Sequence, residues 1–395
     1  MTLATTIFAP LLELLASQTA NEAKIAGEPR FEYDTQGKPT DYISLLAFNM
    51  GEVGSDVMSR LCCALGGSTS SSVGISELAP DRSDERHQYR AKSVGGLLPG
   101  GGRVGYVYTR RGGFIDLGHA RDYIDYTRFF ASRYRDLPLA GASGELAKLF
   151  NEAGDIHLII APRSEKPLPV LAAIMGAKLA YERSIWHEIV TYFPDTLTTD
   201  QKFSSFAPED NFSNAVGVLA GYQAVLTPTV DFNTAADQAL FKVLQALGPA
   251  TKEVTDEATD YVEDFWWESG LLGGGLRPNA LRRNFDATPP VKPWLVSEIA
   301  IPGDEAQAGE LRSLLGRPTP ASIPIPTHYN GLLLDNLAHL EITNIHSSIK
   351  AVLPSNLAQL DRIKSSDLYT VVNAIRAKER QEKGNDADSP GPPVP

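Results

Sequence analysis

Residues 168–193 read LPVLAAIMGAKLAYERSIWHEIVTYF, and this run decides how the rest of the chain is read. Pro194 stands just past its end. Proline cannot continue a helix, so the helix ends before it. The spacing predicts one long helix over 168–193. One stripe of that helix carries Gly176, Ala177, Ala180, Ser184, His187 and Thr191, and the other side carries Leu171, Ile174, Ile185 and Ile189. The apolar side predicts burial. The small stripe lets a second helix approach closely, or leaves a cavity. An ionisable pair, His187-Glu188, at the end of such a stripe is costly unless it is paired, hydrogen-bonded or metal-bound.

Outward from this helix the chain reads as helix-rich. On the N-terminal side, 104–109 and 113–117 read as a hairpin turning at Arg110-Arg111-Gly112, followed by a helix over 119–134 and a short apolar strand over 155–161. On the C-terminal side, 195–207 is a loop, and Pro208 with Glu209 and Asp210 forms a helix start. Further helices are expected over 234–247 and 251–269, and closing helices over 332–340 and 357–383. Residues 270–330, rich in glycine and proline, read as an extended wrap. The first 65 residues read as helices around an extended stretch at 30–33, then 66–74, including Ser70 to Ser72, as a loop and 75–102 as an irregular excursion. The expectation is an α+β fold, predominantly α-helical with a small β-sheet or hairpin and long irregular wrapping segments. One large globular domain is expected over 1–383, the alternative being an N-terminal part, 1–100, packed on 101–383. A polar, proline-rich tail at 384–395 is expected to be disordered.

Composition excludes several classes. The formal net charge of -12 opposes phosphate backbones, so general nucleic-acid binding is not expected. Arg110-Arg111 and Arg282-Arg283 read as solvated loops. The two cysteines, Cys62 and Cys63, are neighbours; they cannot staple distant segments or form a four-cysteine zinc site, and they read as part of a buried helix. No apolar run is long enough for a membrane span. Residues 2–16 lack a basic leader and carry Glu13, so they read as an amphipathic helix of a cytoplasmic protein; export is the alternative if that segment is a signal. Gly100, Gly102 and Gly105 match a dinucleotide-loop spacing, but a strand rather than a helix follows. Asp335 and His339, four apart on an expected helix, read as surface partners, His157 as a satisfied core histidine, and Phe265-Trp266-Trp267 as core packing or a partner contact.

Three segments combine polar residues with small neighbours. The first, 112–122, carries His119, Arg121 and Asp122; Asp122 shares a helical face with His119, and a carboxylate beside an imidazole fixes its tautomer. The second carries His187-Glu188. The third, 203–214, carries Ser204, Ser205, Glu209, Asp210 and Asn214, with Asp210, Asn214, Gly217 and Gly221 on one helical face. His-Glu on a helix echoes zinc peptidases, but Thr191 stands where their second histidine belongs. The expected metal ligands are therefore His119, His187 and Glu209 or Asp210. Glu188 is the candidate general base, His187, His119 and Asp122 complete the catalytic candidates, and Arg121, Ser204, Ser205 and Asn214 are candidates for holding substrate.

The runs Gly113-Phe114-Ile115-Asp116 with His119-Ala120-Arg121-Asp122, then Trp186-His187-Glu188, then 203–210 with Ser213-Asn214, resemble an uncharacterised bacterial family of unknown function over roughly residues 40–350. The resemblance implies that these segments belong to one site, and implies no activity. Members with export signals would be envelope proteins. Residue chemistry points to a metal-dependent hydrolase acting on an amide or ester, with a divalent metal such as zinc and a small-molecule or peptide-like substrate. The alternatives are a non-catalytic binding or scaffold protein, and metal-free acid/base or acyl-transfer chemistry.

Overall fold

The computed structural model describes residues 70–72, 104–136, 146–151, 153–161, 166–193, 204–229, 232–268 and 279–393. The expectations for 2–16, 30–33, Cys62-Cys63 and 75–102 lie outside these residues.

Strand β1 (Ser70–Ser72) pairs in parallel with β2 (Val104–Thr109), which pairs antiparallel with β3 (Gly113–Asp116). The serine run read as loop is thus a strand. The hairpin follows the sequence closely, and its turn is locked locally: the Thr109 hydroxyl accepts from the Gly112 N–H and donates to the Gly113 carbonyl. Gly113 sits at φ +63, and a side chain there would run into the Trp294 carbonyl oxygen, so glycine is required.

β3 runs directly into helix α1 (Leu117–Asp136). Then come β4 (Leu146–Asn151), β5 (Asp155–Ile160), the long helix α2 (Pro169–Tyr192), α3 (Asp210–Val225), α4 (Phe232–Leu247) and α5 (Lys252–Val262). Pro169 stands in the first turn of α2, and α2 is buried on almost every side, in keeping with its apolar composition. Thr251 caps α5 by accepting from the Val254 N–H. After the paired strands β6 (Trp267–Glu268) and β7 (Asn279–Ala280), the proline-rich wrap carries helix α6 (Glu305–Leu315) and the small hairpin β8 (His328–Tyr329) and β9 (Leu332–Leu333). Strands β10 (Ala338–Thr343) and β11 (Arg362–Lys364) and helix α7 (Leu368–Lys383) follow. An antiparallel sheet runs in the order β11-β10-β5-β4. The fold is α+β and helix-rich.

Four expectations are corrected. Residues 332–340 form β9, a 3-10 turn and the start of β10, because β10 pairs along β5 and buries alternate apolar residues; leucine spacing alone mimicked a helix. The expected 251–269 helix ends at Val262: Glu263 turns extended and Asp264 takes φ +60, sending Trp266 and Trp267 into an aromatic cluster with Phe114, Tyr261 and Trp294. Residues 357–383 divide into β11 and α7. Residues 384–393 pack on the body: Asp388 is buried and pairs with Arg376 and Arg380.

The position of α1 sets the geometry of the candidate site. It lies between α2 and α3, and glycines set the separation. A β-carbon at Gly176 of α2 would lie 2.8 Å from Ala131 Cβ, and one at Gly221 of α3 2.7 Å from Thr127 Cβ. At Gly217 of α3 it would lie 2.8 Å from the Ala120 carbonyl carbon and closer still to its oxygen. The small faces read from the sequence therefore serve close helix approach. No described helix is long and apolar enough to cross a membrane.

Candidate metal centre

Each of the three packed helices delivers one side chain to a common point. Asp116 ends β3 and caps α1, its Oδ1 accepting from the N–H groups of Gly118 (2.6 Å) and His119 (3.1 Å). This cap fixes His119 in the first turn. Asp116 is itself tied to α3, its N–H donating to Ser213 Oγ. Burial pushes the Asp116 carboxyl up, with His119 and the capping N–H groups opposing that effect. Glu188 comes from the last turns of α2, and Asp210 is the first residue of α3. One ligand atom from each of His119, Glu188 and Asp210 lies within 4.8 Å of the other two, and all three residues are buried. Among the described residues this is the only such cluster. His119 Nε2 stands 3.7 Å from Asp210 Oδ1, beyond hydrogen-bond length and within a few tenths of the ~3.4 Å that separates two ligands on a tetrahedral zinc.

The surrounding groups orient these three. Asn214 Oδ1, one turn along α3, lies 2.8 Å from His119 Nδ1. A carbonyl oxygen only accepts, so Nδ1 carries the proton and Nε2 presents its lone pair to the cluster. The two carboxylates are pinned by consecutive backbone groups: Phe206 N–H donates to Glu188 Oε2 (2.8 Å), and Ala207 N–H donates to Asp210 Oδ2 (2.9 Å). Glu188 Oε1 is left buried with no hydrogen-bond partner among the described residues. A buried carboxylate oxygen in that condition costs about 1–3 kcal/mol or more, which a cation removes.

Phe206 makes this geometry by adopting φ +51, unusual for an aromatic residue. The turn is clamped from the far side. Asn284 N–H donates to the Phe206 carbonyl and Asn284 Nδ2 to that of Pro208, while Asn211 Nδ2 donates to the Asn284 carbonyl. Arg283 donates to the Ser205 carbonyl and hydroxyl and pairs with Glu379 of α7. Glu379 also accepts from Tyr192 and pairs with Lys383. Burial alone would raise the Glu379 carboxyl, but Arg283, Lys383 and Tyr192 outweigh it and hold it down at about 2.

The structure thus brings together His119 and Asp210, as expected, with Glu188 in the place expected of His187. His187 is partly buried, and it and Glu209 are not members of the cluster. Glu209 lines a narrow crevice with Phe114, Phe212, Trp266 and Trp294. Asp122 is partly buried, and the Nδ1 contact expected of it is made by Asn214. Arg121 and Ser204 are buried, and the Ser205 hydroxyl is engaged by Arg283. Both arginine pairs are corrected. Arg283 is 1% exposed in an ion pair, and Arg110 and Arg111 are buried, donating to the Leu314 and Thr319 carbonyls. Asp335 pairs with Lys178 instead of sharing a helix with His339, and His157 bonds to Thr343 Oγ1 within the sheet. The roles of Phe206, Arg283, Asn284 and Glu379 were not foreseen. Asn211 and the Phe203-to-Asp210 run were the nearest sequence signals.

No curated protein and no solved structure matches the chain. Residues 67–272, more than half of it, match a family described as Protein of unknown function (DUF4056), and the match spans His119, Glu188, Asp210 and Asn214. The chain belongs to this family.

Proposed function

We propose that His119, Glu188 and Asp210 hold a divalent metal ion, and that this centre hydrolyses an amide or ester bond. The observation that supports the reading is the combination of three convergent ligand atoms with two carboxylates whose other oxygens are already bonded to the Phe206–Ala207 backbone. One imidazole and two carboxylates suit zinc, manganese or iron(II). A metal ion bound there supplies an activated water at neutral pH. Asn214 holds the imidazole tautomer, the 204–208 turn holds the carboxylates, and Arg121 and Ser204 are the substrate-binding candidates.

Metal content of the native chain, purified without chelator or metal-affinity tag, tests the centre. One equivalent of a divalent ion is expected, falling severalfold in folded His119→Ala and Asp210→Asn chains. Native protein that holds no ion and takes up neither zinc nor manganese would overturn it. Hydrolysis is tested separately on a panel of esters and amides with the metal-loaded chain. Turnover that chelator abolishes and metal restores is expected; metal-loaded protein inert across the panel refutes the hydrolase and leaves the centre standing.

A further inference from the structure

The tail after α7 carries Ser389-Pro390-Gly391-Pro392-Pro393, and each part is read by a specific group. The Trp266 indole N–H donates to the Pro390 carbonyl at 2.8 Å. Ala300 N–H donates to the Pro392 carbonyl at 2.9 Å, and Ile299 and Pro393 form an antiparallel bridge. Between them Gly391, at φ +127, lies against the Phe265 ring: a β-carbon there would stand 2.8 Å from Phe265 Cε1. The Arg282 guanidinium sits over the same ring, 4.1 Å from its centre, and donates to the Asp386 and Ser389 carbonyls.

We propose that this groove, built from Phe265, Trp266, Ile299, Ala300 and Arg282, is a recognition site for proline-rich peptide segments of the Pro-Gly-Pro-Pro type, occupied in cis by the chain's own tail. Four features carry the proposal. An indole N–H on a proline carbonyl beside an aromatic face is chemistry that proteins use to hold proline-rich ligands. The recognised groups are carbonyls, and the prolines bring no N–H that needs a partner. Stiff proline-rich segments lose little entropy on docking, so the same contacts are available to a separate peptide. An open cavity of about 470 Å³ also adjoins the tail, lined by Trp294, Ile299, Arg312, Arg317 and the tail's own Pro390, Gly391 and Pro393. The proposal is independent of the metal centre.

A tethered ligand competes at roughly millimolar effective concentration. The native chain should therefore mask the groove, and loosening the tail should expose it. The probe is a capped hexapeptide, DSPGPP, copying residues 388–393. The hosts are the full-length native chain, Gly391→Val, which puts a side chain into the Phe265 ring, and Asp388→Asn, which removes the ion pairs to Arg376 and Arg380. Calorimetric titration should show the peptide binding both variants at least tenfold more tightly than the native chain. Adding Trp266→Phe to a variant should weaken binding at least fivefold, and a peptide with valine for glycine should not bind. Folded Gly391→Val and Asp388→Asn chains that bind the peptide no better than the native chain would overturn the proposal. So would binding that ignores Trp266→Phe, which would mark a different surface.

Discussion

Replacing Gly217 with alanine isolates the close approach of α3 and α1 on which the His119–Glu188–Asp210 cluster rests. In an open helix interior, glycine to alanine stabilises by about 1 kcal/mol. At Gly217 the new β-carbon would lie 2.8 Å from the Ala120 carbonyl carbon and 2.9 Å from its Cα. Ordinary carbon contacts are about 3.5–4.0 Å, so the helices must part by roughly 0.7 Å or more. The obstructing atoms are backbone, which cannot rotate away, so the cost belongs near the upper end of the ~1–3 kcal/mol typical of overpacking. Net destabilisation of about 2 kcal/mol is expected. Gly309, in α6, is the control: a β-carbon there would meet nothing within 4 Å, so Gly309→Ala should stabilise by about 1 kcal/mol. Urea unfolding of the two full-length variants, followed by far-UV circular dichroism, reads the sign directly. Ala120 directly follows His119, so parting the helices there also displaces the imidazole, and metal affinity should fall in Gly217→Ala and not in Gly309→Ala. If both substitutions stabilise alike, the close packing argued for α1 and α3 is wrong.

Two further outcomes follow from the groups around the cluster. Asn214→Ala removes the acceptor on His119 Nδ1 and should weaken metal binding ten- to a hundredfold, as loss of such supporting groups does, whereas Asn214→Asp keeps an acceptor and most of the affinity; equal losses in a competition titration against a chromogenic chelator would refute the tautomer argument. Glu379 has its carboxyl lowered from 4.5 to about 2, so its contribution is complete above pH 4.5 and is lost as pH falls through about 2. A shift of that size is on the order of 3 kcal/mol, and about 2 kcal/mol once solvent screening around the half-exposed Lys383 is allowed for. Glu379→Gln should be less stable at neutral pH and should lose less stability on acidification across that window; parallel acid-unfolding curves for the two chains would refute it.

Local chemistry made much of this fold readable in advance. Pro194 marked the end of the long helix, Arg110-Arg111-Gly112 the hairpin turn and Pro208 with Glu209 and Asp210 the start of α3, because each acts through its own backbone or a near neighbour. The small stripe of α2 left close packing and a cavity both open, and only the position of α1 against Gly176 decided for close packing. The 332–340 region misled because leucine spacing is shared by a helix and by a buried strand edge, and only pairing with β5 separates them. At the site, His119 and Asp210 were readable from their small surroundings, whereas Asn214, read as a substrate-holding residue, is engaged with His119 Nδ1. The exchange of His187 for Glu188 was not: adjacent residues on a helix point about 100° apart, so the choice depends on where α1 and α3 stand around α2. Tertiary structure alone decided that Arg283, 78 residues beyond Ser205, and Glu379, 96 residues beyond Arg283, would brace the turn that holds both carboxylates. Chain folding, and no local preference, carries those charges into the interior, where only partners from distant segments can make their burial tolerable.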